Sequence, residues 1–398
     1  MSKAQVASMG IITAVGQNVA ENLCALNEAK TGISAPEILK TKHQFPVGEI
    51  KKSNEQLASE ADAPNDWPRT ALLSLIAAKE AWLPVAGKAN GLRIAFISAN
   101  TVGGMDLTEK VYKNYLEDKS TTDLTRLKYH ETGMVTQLVA DKLFPECWHT
   151  TISTACSSSA NSIMMGAQLI EQNMFDLVIA GGADSLSLFT LNGFHSLMIL
   201  DQQPSKPFDE NRSGLNLGEG AAYLVLGNAT ALKKLNISSL GIINGYANAN
   251  DAHHQTASSP EGKGNRLAME NALAQAQLSP EAIDYINLHG TGTANNDSSE
   301  GLAISSIFAT RVPAASSTKT FTGHTLAAAG AVEAVYSLMA ISEQKSWPHL
   351  RLQVPMKMLP WQPEKQTLKS KIRHVLSNSF GFGGNCSTLI ISSAEELK

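Results

Sequence analysis

The chain has few cysteines and no cysteine pairing pattern. Its four, Cys24, Cys147, Cys156 and Cys386, are widely spaced over 398 residues and form no C-x-x-C pair. That excludes a disulfide framework and suits a reducing compartment. It also lacks an excess of positive charge: the net charge is −4, so no overall basic field points to nucleic acid. No uninterrupted run of eighteen apolar residues occurs, so no membrane span is expected. The opening, Met1 to Val6, has no apolar signal-peptide region, and a cytoplasmic location is expected. Charged residues make up only 17% against 43% hydrophobic, which excludes a disordered chain. The length fits two to three domains or one large duplicated domain.

What is present is an α/β rhythm. Apolar runs at Gln5 to Thr13, Leu92 to Ala99, Asp176 to Ala180 and Tyr223 to Gly227 read as strands, the third closed by Gly181 and Gly182. Helical spacing follows from Val19 to Glu28, from Arg69 to Trp82 and from about Gly133 to Leu143. Residues 36–67, polar and with four prolines counting Pro68, read as an irregular surface insertion; residues 101–147 show a loosened pattern. In the second half, Ile283 to Leu288 matches the strand at Leu92, and a helix from about Thr325 to Ile341 matches one from Ser157 to about Gln172. Such matches point to an internal duplication with a boundary between residues 228 and 238. Shared α/β rhythm is the competing explanation.

The stretch Ile152 to Ala160 places Cys156 on the corner between a short strand, Trp148 to Thr154, and the following helix. The positive end of a helix and its unpaired N–H groups favour thiolate, and so a nucleophile at neutral pH. A small buried cysteine at a strand–helix junction is the plainer reading. His289 follows a strand and opens Gly290-Thr291-Gly292-Thr293; His324 follows Thr320-Phe321-Thr322-Gly323 and opens a helix. Strand-end loops are where open α/β sheets carry their chemistry. Zinc is the competing reading for Cys156, His289 and His324, but no two are close in sequence. Lys319 and Glu300, if buried, must be paired. The run Ser377 to Asn385 sets glycines on both sides of Phe382, which permits a turn with inward N–H groups suited to an oxyanion hole; a plain glycine turn before the strand Thr388 to Ile391 is the alternative.

Six segments in order, TACSSSANSI, KPFDENRSGLNLGEGAA, NANDAHHQTASSPEGKG, LHGTGTANNDSSE, SSTKTFTGHTLAAAGAVE and NSFGFGG, closely resemble the β-ketoacyl-acyl carrier protein synthases of the thiolase superfamily over nearly the whole chain. The resemblance implies a duplicated thiolase-like α/β fold with five layers, α-β-α-β-α. Its halves would be residues 1–235, carrying the nucleophile, and 236–398, carrying both histidines and the glycine loop. It implies Cys156 as acyl acceptor, His289 and His324 as the pair that drives malonyl decarboxylation, and Lys319 as their electrostatic support with Glu300 as its partner. The N–H groups of Cys156 and Phe382 would form the oxyanion hole, with the Phe382 side chain as a gate. Gly381, Gly383, Thr291, Thr293, Thr320 and Thr322 would bind substrate. The implied reaction needs no cofactor or metal. The implied partners are an acyl carrier protein and a second chain, a copy or a related subunit.

The chain departs from the family pattern in places. Cys386 stands where an Asn is usual, with Asn385 before it, which raises a second thiol near the site, as in degradative thiolases. Residues 101–147 are compact and unfamiliar, and the start lacks an arginine-rich lead-in. A non-catalytic chain-length factor is the alternative from another class, although such subunits typically lose the nucleophilic cysteine; a degradative thiolase acting on coenzyme A esters is the third reading. The HGTGT form also occurs in polyketide-type synthases. Arg69, Lys110, Lys113, Lys119, Arg126 and Lys128 are candidates for contact with an acidic carrier.

Overall fold

The computed structural model describes residues 3–119, 121, 123–309 and 311–397. The start read for a signal region therefore has Met1 and Ser2 outside the described residues.

In the first half, the strands are β1 (Ala4–Thr13), β2 (Ile94–Ala99), β3 (Trp148–Ile152), β4 (Leu177–Asp184) and β5 (Gly220–Gly227). The second half supplies β6 (Gly241–Asn250), β7 (Tyr285–Asn287), β8 (Ala314–Ser316), β9 (His374–Gly381) and β10 (Asn385–Ser392). All ten join one sheet in the order β8-β7-β9-β10-β6-β1-β5-β4-β2-β3. Counted outward from the centre, each half runs first, fifth, fourth, second, third strand. The pairing senses agree as well: two antiparallel ladders, then two parallel ones, in both halves. Ala4 to Val6 pair with Ile243 to Gly241 and stitch the halves together. The strands at Leu92 and Ile283 are the second of each half, and the helices at Ser157 and Thr325 both follow the third.

Among the helices are α1 (Val19–Asn27), α2 (Asn54–Ala61), α3 (Arg69–Ala86), α4 (Met105–Asp118), α5 (Thr132–Leu143), α6 (Ser158–Glu171), α7 (Leu188–Ser196), α8 (Ala229–Leu235), α9 (Lys263–Ala276), α10 (Ala294–Ile307), α11 (Lys319–Thr322) and α12 (Ala329–Glu343). Three apolar cores separate the layers. One lies between the first-half strands and α3 and α5. A second surrounds α6 and α12, between the two sets of strands. The third lies under α9 and α10. The result is helices, strands, helices, strands, helices.

Small residues make the middle layer thin. A Cβ on Gly330 would lie 2.8 Å from the Ala160 Cβ, so α12 crosses α6 at backbone distance. Every residue of α12 from Ala329 to Ile341 is buried, as an all-round apolar helix must be. The segment Leu326–Glu343 is long and apolar enough to cross a membrane by composition, yet 89% of it is buried inside the fold.

Several sequence expectations need correction. Residues 36–67 are not simply irregular. Val47–Gly48 pair with Ile33–Ser34, and α2 begins with a capping box between Ser53 and Gln56. Eight residues with little apolar content carry too weak a period to be seen. The loosened segment contains α4, whose apolar residues face the solvent in part: Tyr112 and Leu116 are exposed. Gly181 and Gly182 lie inside β4, which continues to Asp184. A Cβ on Gly181 would meet the Ala222 carbonyl oxygen at 2.0 Å, so glycine is required there by packing rather than by a turn.

Candidate active site

Cys156 is buried on the corner between β3 and α6, as its motif suggests. Ala155 before it adopts φ +54°, a left-handed conformation that costs a non-glycine residue about 1 kcal/mol or more. The turn is held locally. Ser158 donates both its N–H and its hydroxyl to the Ala155 carbonyl, and the Thr154 N–H donates to the Ser158 hydroxyl oxygen. The turn leaves Cys156 in one cavity with residues of the second half of the chain.

His289 and His324 converge from that half. Their rings meet edge to face, with centroids 5.4 Å apart. Lys319 Nζ donates to His289 Nδ1 at 3.2 Å, and the Leu326 N–H donates to His324 Nδ1 at 3.1 Å. Each Nδ1 is thus an acceptor, so a neutral ring carries its proton on Nε2. Both rings are neutral: burial, then the Lys319 charge, hold each pKa well below its ordinary value, and for His289 the neighbouring His324 adds to this.

The partner of Lys319 is a correction. Its ammonium is paired with Glu333 on α12, not with Glu300. Glu300 instead receives the backbone N–H groups of His289 and Gly290, each at 2.8 Å, and the Asn378 amide at 3.1 Å. It therefore shapes the HGTGT turn. Burial pushes both carboxyls up to about 7; the Lys319 charge opposes this at Glu333, and the donated N–H groups oppose it at Glu300. Glu333 escaped the sequence reading although a signal existed: it is the one charged residue between Leu326 and Ile341.

The thiol is a second correction. Burial pushes Cys156 up to about 11, away from the thiolate expected at a helix start. The Lys319 charge and the N–H groups of Phe382 and of Cys156 itself act in the opposite direction and do not overcome desolvation. Gly381 allows this approach, since a Cβ there would lie 3.0 Å from the Cys156 nitrogen. Gly383 and Gly384 both stand at φ +80°. They turn the chain between β9 and β10 and leave the Phe382 ring stacked on Phe194 of α7, centroids 5.8 Å apart.

Two cavities meet at the sulfur. One, of about 310 Å³, is lined by Cys156, both histidines, Thr291 and Thr293. The other, of about 560 Å³, is mostly apolar and includes Val102, Phe189, Leu197 and Leu326. Cys156, Phe194 and Phe382 border both. Phe194 had no sequence signal beyond being an aromatic on a short helix.

Thr320 and Thr322 line neither cavity. Both are buried, and their hydroxyls donate to the Ser317 and Gly323 carbonyls, where they hold the turn before His324. Cys386 also lines neither cavity. It packs with Phe380, Ala249 and Ala268 and donates to Asn265 Oδ1. Arg69 cannot meet a carrier: it is buried, with Nε and Nη2 on the two oxygens of Glu219. Lys110, Lys113, Lys119 and Lys128 remain exposed, and Arg126 is half-buried.

The chain is similar to known proteins in sequence and in fold. Residues 3–231 match the family described as Beta-ketoacyl synthase, N-terminal domain, and residues 240–353 match its C-terminal domain. The 3-oxoacyl-(acyl-carrier-protein) synthase 2 of Coxiella burnetii is 31% identical, with 97% of each chain covered. Among solved structures, the ishigamide ketosynthase/chain length factor superposes with a TM-score of 0.90 at 26% identity, covering 98% of this chain and 99% of that one. The ketosynthase ApeO in complex with its chain length factor ApeC from Xenorhabdus doucetiae gives 0.87 at 30% identity, covering 99% and 98%.

Proposed function

The chain belongs to the β-ketoacyl synthase family, and from that premise we propose how its own residues carry the reaction. The protein catalyses decarboxylative Claisen condensation: an acyl group held as a thioester joins malonyl-acyl carrier protein to give a β-ketoacyl-acyl carrier protein two carbons longer. The setting is fatty-acid or polyketide assembly, and the carrier protein is its partner. The proposed halves, 1–235 and 236–398, divide the work. The first supplies the nucleophile and the second the groups that meet the malonyl thioester.

The observation that carries this assignment is the shared orientation of the two imidazoles. With Nδ1 of each ring occupied by a donor, both offer an Nε2–H to the cavity that also holds Cys156. In the first half-reaction, the Cys156 sulfur attacks the acyl thioester carbonyl. Negative charge grows on that oxygen, and the N–H groups of Cys156 and Phe382 are the donors that meet it. The Cys156 thiol gives up its proton as the S–C bond forms, the old C–S bond breaks, and the carrier sulfur takes up a proton and leaves as its thiol. In the second, the malonyl thioester oxygen accepts from His289 and His324. The bond to the carboxylate breaks, carbon dioxide departs and its electron pair stays on the remaining carbon as an enolate. That carbon attacks the acyl-Cys156 carbonyl, and the cysteine sulfur leaves. Lys319 keeps His289 Nδ1 an acceptor and keeps the ring from taking a second proton.

Intact-mass measurement with acyl-carrier thioesters tests this. Wild-type protein gains the acyl mass, and Cys156→Ala does not while remaining folded. His324→Ala still gains it but releases carbon dioxide from malonyl-carrier at least about a hundredfold more slowly, the usual weight of one oxyanion donor. Equal loss of both half-reactions in His324→Ala would refute the division of roles.

The enzyme works as a dimer. We propose a second copy of this chain as its partner, since Cys156, Lys319 and both histidines are all present. Light scattering at twice the chain mass supports that, whereas a monomer would point to a related second chain. Four unpaired cysteines favour a reducing, cytoplasmic location.

A further inference from the structure

Asp184, the last residue of β4, is completely buried, and its carboxylate joins two walls of the site. Oδ1 accepts the N–H groups of Thr101 at 2.9 Å and Val102 at 3.1 Å. Oδ2 accepts the Thr101 hydroxyl at 2.5 Å and the Ala327 N–H at 2.9 Å. Thr101 and Val102 line the apolar cavity. Ala327 directly follows Leu326, whose N–H is the donor to His324 Nδ1.

Leu326 stands at φ +53°. A branched side chain is strained there, and such a conformation persists only where its surroundings over-determine it. Its side chain is buried in the apolar wall, and the residue after it is anchored to Asp184. We propose that Asp184 is a positioning residue for decarboxylation: by holding Ala327 it keeps Leu326 left-handed, and so keeps the Leu326 N–H on His324 Nδ1 and the ring proton on Nε2. This rests on the reading that His324 donates to the malonyl thioester oxygen.

The residue type fits the task. All four partners of the carboxylate are donors, and an amide in its place must turn an NH₂ toward some of them. The same negative charge acts against ionisation of Cys156. Its removal therefore pulls the two half-reactions in opposite directions, which general destabilisation would not do.

The test uses the full chain with ¹⁵N-labelled histidine, as wild type, Asp184→Asn and Thr101→Val. In the wild type, the His324 signals belong to the Nε2-protonated ring. In Asp184→Asn they move toward an average of the two tautomers. In that variant kcat for malonyl-carrier decarboxylation falls about tenfold with KM within about twofold, the pattern of an interaction made chiefly in the transition state. Loading of Cys156, read by intact mass, holds or rises. Thr101→Val removes one of the four hydrogen bonds and moves the same signals less far. An unmoved tautomer in folded Asp184→Asn overturns the proposal. So does an unmoved tautomer in Thr101→Val, should Asp184→Asn fail to fold. Equal loss of both half-reactions with the tautomer unchanged overturns it too. If wild-type protein loads Cys156 but releases no carbon dioxide, the functional reading fails, while a tautomer shift in Asp184→Asn still supports the positioning role.

Discussion

At Cys156, desolvation and local charge pull in opposite directions. The helix start, the Phe382 N–H and Lys319 favour the thiolate; burial favours the thiol and prevails, with the group pushed up to about 11. The sign of the pH dependence follows. Below that value each unit of pH multiplies the thiolate fraction by about ten, so iodoacetamide alkylation of Cys156 rises about tenfold per unit from pH 7 to 9. A plateau near pH 8 would mean that the cationic surroundings win after all. Lys319→Ala removes a charge that favours ionisation, and slows alkylation at every pH in that range. The motif pointed to Cys156 as the candidate nucleophile. It could not show the balance, because desolvation depends on residues far away in the chain. Likewise, the sequence signalled that Lys319 needs a partner, but the choice between Glu300 and Glu333 rests on where α12 crosses.

At the scale of elements, α7 and the glycine loop behave as two leaves at the sulfur. Phe194 is fixed on a helix; Phe382 is carried on a turn that Gly383 and Gly384 free from ordinary backbone limits. The loop is tied on its other side as well: the Gly383 N–H donates to the Gln255 carbonyl at 2.7 Å, and the Asp251 N–H to that of Gly384 at 2.9 Å. Opening one cavity to the other must break the ring stack, which contributes about 1 kcal/mol. Phe194→Ala should therefore speed loading of long acyl groups about fivefold, the rate ratio that such an energy gives. It should also release carbon dioxide from malonyl-carrier in the absence of an acyl donor. Assays of loading by intact mass and of carbon dioxide without condensation check this; unchanged rates in both would show that the stack plays no part in separating the cavities. The glycine loop was legible as a turn. Its aromatic counterpart was not, because nothing in the spacing of a nine-residue helix says which way Phe194 faces.

Across the whole molecule, the two halves share a strand order and meet where backbone touches backbone. Gly48 and Gly218, both in the first half, lie against the Thr322 carbonyl, just before His324; a Cβ on them would stand 1.8 and 2.2 Å from that oxygen. No side chain can yield there, since the obstacle is main chain. Gly218→Ala should cost about 3 kcal/mol or more, lower the melting temperature by several degrees and impair decarboxylation more than loading. A melting temperature within a degree of wild type would disprove the contact. A glycine count hints at close approaches but does not say which glycines make them.

The kind of fold and the candidate reacting groups were legible in the chain before it folded. Strand and helix periods are local, and a cysteine at a helix start, two histidines after strands and a glycine loop are chemically conspicuous wherever they stand. How those groups are tuned came only with long-range packing. The protonation of Cys156, the tautomers of His289 and His324, the pairing of Lys319 with Glu333 and the reach of Asp184 across two walls all depend on burial and contact between residues far apart in the chain. Those contacts leave no local period to read.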